Sequence, residues 1–245
     1  YNKYKFDSMI YEVGSEQTLH FKQIFKILEL LGNKWAKNCI HAAHGLYLDK
    51  DGKKFATRKG KTIFMEDILN EATELARREV KKRETTSKEE NEKRARAIAL
   101  AAIIYGDLKN YRINDIVFDI ERFTSFEGDT GPYLLYSYAR AKSILRKADY
   151  KKAKFKIEKL TDAEKSLLLE LSKFPEVVIS AYYSLSPNLI ANYAFQLAQN
   201  FNEFYHSTLV IKSENEQFRL ALVDSFSQVL KNALSLLGIS VLEKM

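Results

Sequence analysis

One cysteine among 245 residues, Cys39, leaves no internal disulfide to form and suits a reducing cytosol. No apolar run approaches the roughly 20 residues that span a bilayer. The most apolar segment, 98–105, is far shorter, so no membrane partner is expected. A charged-then-apolar leader is missing too, which gives secretion no support and predicts a cytoplasmic protein. So is an initiator methionine. The chain opens Tyr1-Asn2-Lys3, which predicts a piece cut from something longer. There is no Ser-His-Asp, Cys-His or two-metal constellation. Asp119, Glu127 and Asp129 surround a turn and a helix start, where carboxylates serve as caps rather than as an acid/base pair. Cys39, His41 and His44 form a Cys-x-His-x-x-His string. An extended chain turns His44 away from the other two and offers no fourth ligand, so no metal site is expected.

What is present is a globular composition, 46% apolar and 29% charged, with enough length to bury a full core. Residues 8–13 read as a short buried strand ending at Gly14. Ser15 is a fitting N-cap for a helix from Glu16 to Leu31. Leu19, Ile24, Ile27, Leu28 and Leu31 follow at helical spacing, and Gly32 closes the helix. A second extended run, 39–48, comes next. Strand, turn, helix, strand is one βαβ unit of a parallel sheet, with ligands expected at the strand C-termini.

From Ile63 onward strands become scarce. Helices are expected over 65–82, 94–108, 133–147, 162–174, 177–184, 187–208 and 215–237. Leu222, Phe226, Val229, Leu230, Ala233 and Leu237 form the core stripe of the last. Residues 83–93 read as a mobile polar connection or a solvated helix end, and 110–126 as irregular to extended. Asp129-Thr130-Gly131-Pro132 opens a helix with Pro132 in its first turn. The fold class is therefore mixed: one βαβ unit, then a mainly α-helical bundle. The expected division is 1–62, 63–126 and 127–245.

Charge is concentrated in two places. Between Lys50 and Lys61 stand six basic residues (Lys50, Lys53, Lys54, Arg58, Lys59, Lys61) and one acid, Asp51, bounded by Gly52 and Gly60. Crowded cations of this kind are relieved by a polyanion, a triphosphate being the natural candidate, although a solvated hairpin tip has the same composition. Between Arg140 and Lys159 stand nine basic residues and two acids, an excess equal to the chain's whole net charge of +7. Tyr133, Tyr136, Tyr138 and Tyr150 lie among or beside them. Cations for phosphates and aromatic faces for unpaired bases compose an RNA-contacting surface; a solvated linker is the plainer alternative for 151–159. At the first strand end, Gly14 permits close approach of a ligand, and Gln17 can donate and accept at once, which suits an amino acid. His20 is read either as a nucleotide contact or as a core histidine. His41 and His44 stand at the second strand end beside Gly45, where a base could lie.

Gly14-Ser15-Glu16-Gln17-Thr18-Leu19-His20-Phe21-Lys22-Gln23, Trp35, His44-Gly45-Leu46, the segment from Gly52 to Gly60, Gly128 to Arg140 and the ending from Asn232 to Met245 follow one another in an order that resembles the arginyl-tRNA synthetases. The resemblance runs over essentially the whole chain but covers only the C-terminal half of such an enzyme. It implies the second half of a Rossmann-like catalytic fold over 1–62, a connecting helical region over 63–126, and a helical anticodon-binding bundle over 127–245.

By resemblance, Lys54 to Arg58 corresponds to the Lys-Met-Ser-Lys-Ser loop of class I synthetases, with Phe55 and Ala56 departing from that pattern. Lys54, Arg58 and neighbouring Lys59 would stabilise departing pyrophosphate. Gln17 would bind substrate arginine, and Gly14, His20, His44 and Gly45 would join Lys54 and Arg58 around ATP. Tyr133, Tyr136 and Arg140, at i, i+3 and i+7, with Tyr205 and Met245, would meet tRNA(Arg). The family uses ATP with Mg²⁺, with no dedicated protein metal site. The absent N-terminal half would carry the other phosphate-binding signature and the carboxylate that grips arginine, so this piece alone should be inactive. The competing expectation is a non-catalytic RNA-binding module with a vestigial nucleotide loop.

Overall fold

A computed structural model describes residues 1–54, 64–83, 87–157 and 159–245, Arg83 by its backbone alone. Contacts divide the chain into two units, Tyr1–Arg58 with Asn110–Phe118, and Lys59–Lys109 with Asp119–Met245.

In the first unit β1 (Met9–Gly14) and β2 (Cys39–His44) pair in parallel, Met9 opposite Cys39 and Gly14 opposite His44, joined through α1 (Thr18–Leu30). The expected βαβ unit is present. Its helix starts later than the Ser15 cap predicted. Ser15–Gln17 forms a single 3-10 turn without a side-chain cap, and the Ser15 carbonyl accepts from both the Thr18 hydroxyl and the Thr18 N–H. The stripe facing the sheet is also displaced. Phe21 and Phe25 pack on Tyr11, with ring centroids 5.2 and 5.6 Å away, whereas Leu19, Ile24 and Ile27 are exposed. A helix face is chosen by what covers it, and here the larger aromatic payload takes the sheet.

The extended run 39–48 breaks in two. β3 (Tyr47–Leu48) leaves β2 and pairs in parallel with β4 (Ile116–Val117) in a separate ladder. The break sits at Gly45, whose N–H donates to Arg112 O, while Leu46 N–H donates to Asp115 Oδ1. A Cβ on residue 45 would stand 2.2 Å from the Asn114 carbonyl oxygen, so only glycine lets segment 110–118 approach this closely.

The second unit is helical. α2 (Met65–Arg83) and α3 (Lys88–Leu108) pack along a seam of small side chains, Ala72, Ala76, Ala95, Ala99 and Ala102, all fully buried. Of the two readings of 83–93, a mobile connection or a solvated helix end, residues 88–93 follow the second, as the solvated first turns of α3. Ser87 caps α3 by accepting from Glu90 N–H, and Arg77 on α2 binds Glu92 through two nitrogens. Residues 84–86 lie outside the described residues. After α4 (Ile120–Phe123) come α5 (Gly131–Lys147), α6 (Asp162–Ser172), α7 (Phe174–Ser184), α8 (Asn188–Ser207) and α9 (Glu216–Leu236).

The cap of α5 is Thr130, accepting from Tyr133 N–H, with Pro132 in the first turn. Asp129 is not a cap. Its carboxylate takes the Tyr105 hydroxyl and the Lys109 ammonium. α8 is the centre of the bundle, packed by α5, α6, α7 and α9. Phe201 of α8 lies flat on Phe226 of α9, centroids 3.8 Å apart, both fully buried. Burying a side chain of this size stabilises by about 1.5–3 kcal/mol. The α9 stripe is as expected, with Val229 only half-buried at its flank.

Candidate nucleotide crevice and nucleic-acid cleft

In the first unit, β1 and β2 end side by side at Gly14 and His44. Gln17 is exposed immediately before α1. Beside it Glu16 forms an ion pair with the Lys54 ammonium, which brings the described edge of the basic segment to the turn after β1. Both side chains are more than half exposed, and an exposed pair of this kind is weak and readily exchanged for a stronger anion. Asp49 shapes the turn that presents Lys54: its carboxylate accepts from the N–H groups of Asp51 and Lys53. Arg58 and Lys59 lie outside the described residues.

His20 is exposed on α1, edge-on to Phe21, and not a core group. His41 stacks on Phe21 at 4.5 Å and donates Nε2–H to Val13 O at 2.9 Å, which ties β2 to β1. His44 donates Nδ1–H to Gly45 O at 2.7 Å, so its Nε2 edge is the one directed away from its own backbone. Cys39 is buried, and its thiol, near Trp35 O, is pushed up by burial; it is not poised to ligate or react. No metal-binding cluster of three His, Cys, Asp or Glu occurs among the described residues.

In the second unit α2, the 124–128 turn, α5, α8 and the C-terminus line an open cleft of about 1330 Å³. Tyr133, Tyr136, Arg140 and Met245 all line it, and Tyr205 joins Tyr136, Arg140 and Met245 in an adjoining groove. The five expected contacts are thus brought together, although they are drawn from positions more than a hundred residues apart. The Arg140 guanidinium stands between two rings, 4.7 Å from Tyr136 and 5.2 Å from Tyr205. A cation over aromatic faces is held without being neutralised.

Glu243 fixes the tail that delivers Met245. Its carboxylate accepts from Tyr138 OH at 2.9 Å and faces Lys142 at 3.8 Å, while its carbonyl accepts from Arg146. Tyr138 itself is buried, so it is no base platform; burial and the Glu243 carboxylate push its hydroxyl up. Tyr150 is half-buried against the core, again pushed up by burial. Lysines 151, 152, 154 and 156 lie on an exposed strap without regular structure, anchored by Phe155 on Phe218.

Among the cleft residues that were not expected are Asn202 and His206 of α8. Asn202 Oδ1 accepts from Arg140 at 2.7 Å, and its Nδ2 donates to Tyr133 OH at 2.7 Å. The available signal was faint. Asn202, Tyr205 and His206 put polar groups at i, i+3 and i+4 on a helix otherwise rich in Phe, Leu and Ala.

Two family models match, the first taking in the whole first unit together with α2 and α3 of the second. The one described as tRNA synthetases class I (R), catalytic domain, matches residues 1–120, and the DALR anticodon binding domain matches residues 134–245. The two matches in one chain give the class: catalytic-domain and anticodon-domain sequence of a class I aminoacyl-tRNA synthetase. An arginine–tRNA ligase of Clostridium perfringens is 45% identical over 248 residues, which take 99% of this chain and 44% of that protein. A solved arginyl-tRNA synthetase of Thermus thermophilus superposes with a TM-score of 0.86 at 32% identity, covering 98% of this chain and 42% of that one. One from Plasmodium falciparum gives 0.83 at 26% identity, covering 98% and 41%. The chain belongs to the arginyl-tRNA synthetase family. It spans less than half the length of the curated relatives it matches, 44% of one and 43% of another. Among the described residues no helix is long and apolar enough to cross a membrane.

Proposed function

We propose that this chain is the C-terminal half of a cytoplasmic arginine–tRNA ligase, supplying a pyrophosphate-stabilising loop, part of the ATP and arginine site, and the tRNA(Arg) anticodon surface. In the reaction, an oxygen of arginine's carboxylate attacks the α-phosphorus of ATP, bound as its Mg²⁺ complex. The bond to the bridging oxygen breaks and pyrophosphate leaves. A terminal ribose hydroxyl of tRNA then attacks the arginyl carbonyl and AMP departs. Lys54, Arg58 and Lys59 neutralise charge gathering on the leaving group. Such donors act most strongly where charge develops in the transition state. Gln17 holds the amino acid, with Gly14, His20, His44 and Gly45 around the nucleotide. Tyr133, Tyr136, Arg140, Tyr205 and Met245 receive unpaired bases. The functional division is catalytic (1–62), connecting (63–126) and anticodon-binding (127–245).

The observation that carries the reading is that one chain holds, in separate units, Lys54 at the βα crevice and Arg140 between two tyrosines in an open cleft. The apolar surface of the first unit points the same way. Ile10 and Ile40, register partners on one face of the sheet, are 52% and 40% exposed, and Leu19, Leu30 and Leu31 are bare around α1. Parallel sheets are normally covered on both faces. The upstream half of the same enzyme is the partner that would cover this one.

The test is ATP–pyrophosphate exchange. The chain alone shows none. Joined to an upstream half it exchanges, and Lys54→Ala or Arg58→Ala lowers the rate on the order of 10²-fold. Exchange untouched by both substitutions would favour a non-catalytic RNA-binding module instead, the reading that Phe55 and Ala56 keep open.

A further inference from the structure

The cleft contains a polar network whose hydrogen-bond directions are determined by chemistry. Arg140 only donates, so the Asn202 atom it meets at 2.7 Å is the carbonyl oxygen. The amide nitrogen therefore faces Tyr133 OH at 2.7 Å and Ser137 Oγ at 3.2 Å. Ser137 spends its own proton on the Tyr133 carbonyl at 3.0 Å, so towards Asn202 it only accepts. With both amide protons committed, Tyr133 oxygen is an acceptor on its inner side. Its proton must point elsewhere, and the ring, packed on Phe195 at 5.6 Å, lines the cleft.

We propose that Asn202 is a positioning residue that polarises Tyr133, so that the tyrosine offers its hydroxyl proton to the cleft and selects an acceptor atom, such as a ring carbonyl oxygen or imine nitrogen, on an unpaired nucleotide. This rests on the RNA reading of the cleft and adds the direction of one contact to it. The same amide holds Arg140 in register between Tyr136 and Tyr205, so platform, cation and donor are set by a single side chain of α8. Asparagine is needed because it both accepts and donates. Aspartate would still receive Arg140 but would also take the Tyr133 proton, turning the donor inward.

The experiment measures binding of a tRNA(Arg) transcript to the 245-residue chain by fluorescence anisotropy, for the unaltered chain, Tyr133→Phe, Asn202→Asp and the double variant, each checked for folding by circular dichroism. Tyr133→Phe weakens binding about 3- to 10-fold, the worth of one hydrogen bond. Asn202→Asp weakens it comparably, and the double variant binds no worse than the weaker single one. Independent losses that multiply would mean that aspartate acts by charge repulsion alone, and would overturn the proposal. So would a Tyr133→Phe chain that binds like the unaltered one, whatever the state of Asn202→Asp. Absence of binding by the unaltered chain overturns the RNA reading, and this inference with it.

Discussion

Arg140 is half-exposed, stacked on two rings and bonded to Asn202 through one nitrogen. That arrangement uses the plane and one corner of the guanidinium and leaves its remaining N–H groups for a ligand. Lysine cannot reproduce it, because an ammonium has no plane to stack and no fork. Arg140→Lys should therefore weaken tRNA(Arg) binding about tenfold while shifting the unfolding midpoint little. Parallel titrations of RNA and of urea check this; a large loss of stability with unchanged affinity would mean that the arginine serves only the bundle. Tyr133, Tyr136 and Arg140 were legible because i, i+3 and i+7 fall on one helix face. Asn202 was not, since it lies 62 positions beyond Arg140 and only helix packing makes them neighbours. Tyr138, counted only among the tyrosines beside the basic run, faces inward: periodicity ranks faces but does not say which one the core will take.

At the scale of elements, α6 shows how a buried charge is made tolerable. Thr161 and Glu164 form a reciprocal capping box, and Glu164 reaches Arg219 of α9 at 2.7 Å from a fully buried position. Burial alone would raise its carboxyl. The Thr161 N–H, the Arg219 guanidinium and the Thr161 hydroxyl outweigh burial and hold it below its ordinary value of 4.5. A carboxyl depressed in the fold contributes stability that is present above its ordinary value and is lost as pH falls through the lowered folded value. Removing the cation with Arg219→Ala leaves a buried carboxylate uncompensated and should cost about 3 kcal/mol at pH 7. The deficit should shrink at pH 4, where the variant's carboxyl takes up a proton. Urea midpoints at the two pH values check this, and a deficit independent of pH would show that only packing was lost. The capping motif at 161–164 is local and readable in the chain. The Arg219 partner, 55 positions away, is not.

On the scale of the whole molecule, the two units differ in how they are held. The helical unit buries a continuous core from Ala76 to Ile239. The first unit rests on two short parallel ladders with Ile10, Leu19, Leu30 and Ile40 uncovered. Two-stranded ladders are marginal by themselves. Trp35, the chain's one tryptophan, belongs to this unit and packs on Tyr1 and Phe6. Its fluorescence should therefore report melting of the first unit at least about 5 °C below the loss of helical circular dichroism. An added upstream half should raise the tryptophan midpoint, because a partner that binds only the folded form stabilises it. Coincident transitions without the upstream half would mean that the units unfold as one.

Local rules settled much of this protein in advance. Strand, turn and helix periodicities, the Pro132 start of α5, the basic segment at 50–61 and the three-residue face of α5 depend on neighbours a few positions away, so the linear order contains them. Only tertiary structure decided which face of α1 meets the sheet, that 110–118 returns to pair with 47–48, and that Asn202 orients Tyr133 and Arg140. Those outcomes depend on what lies across the fold, and on polar groups that acquire a direction only when a distant partner uses up their donors and acceptors.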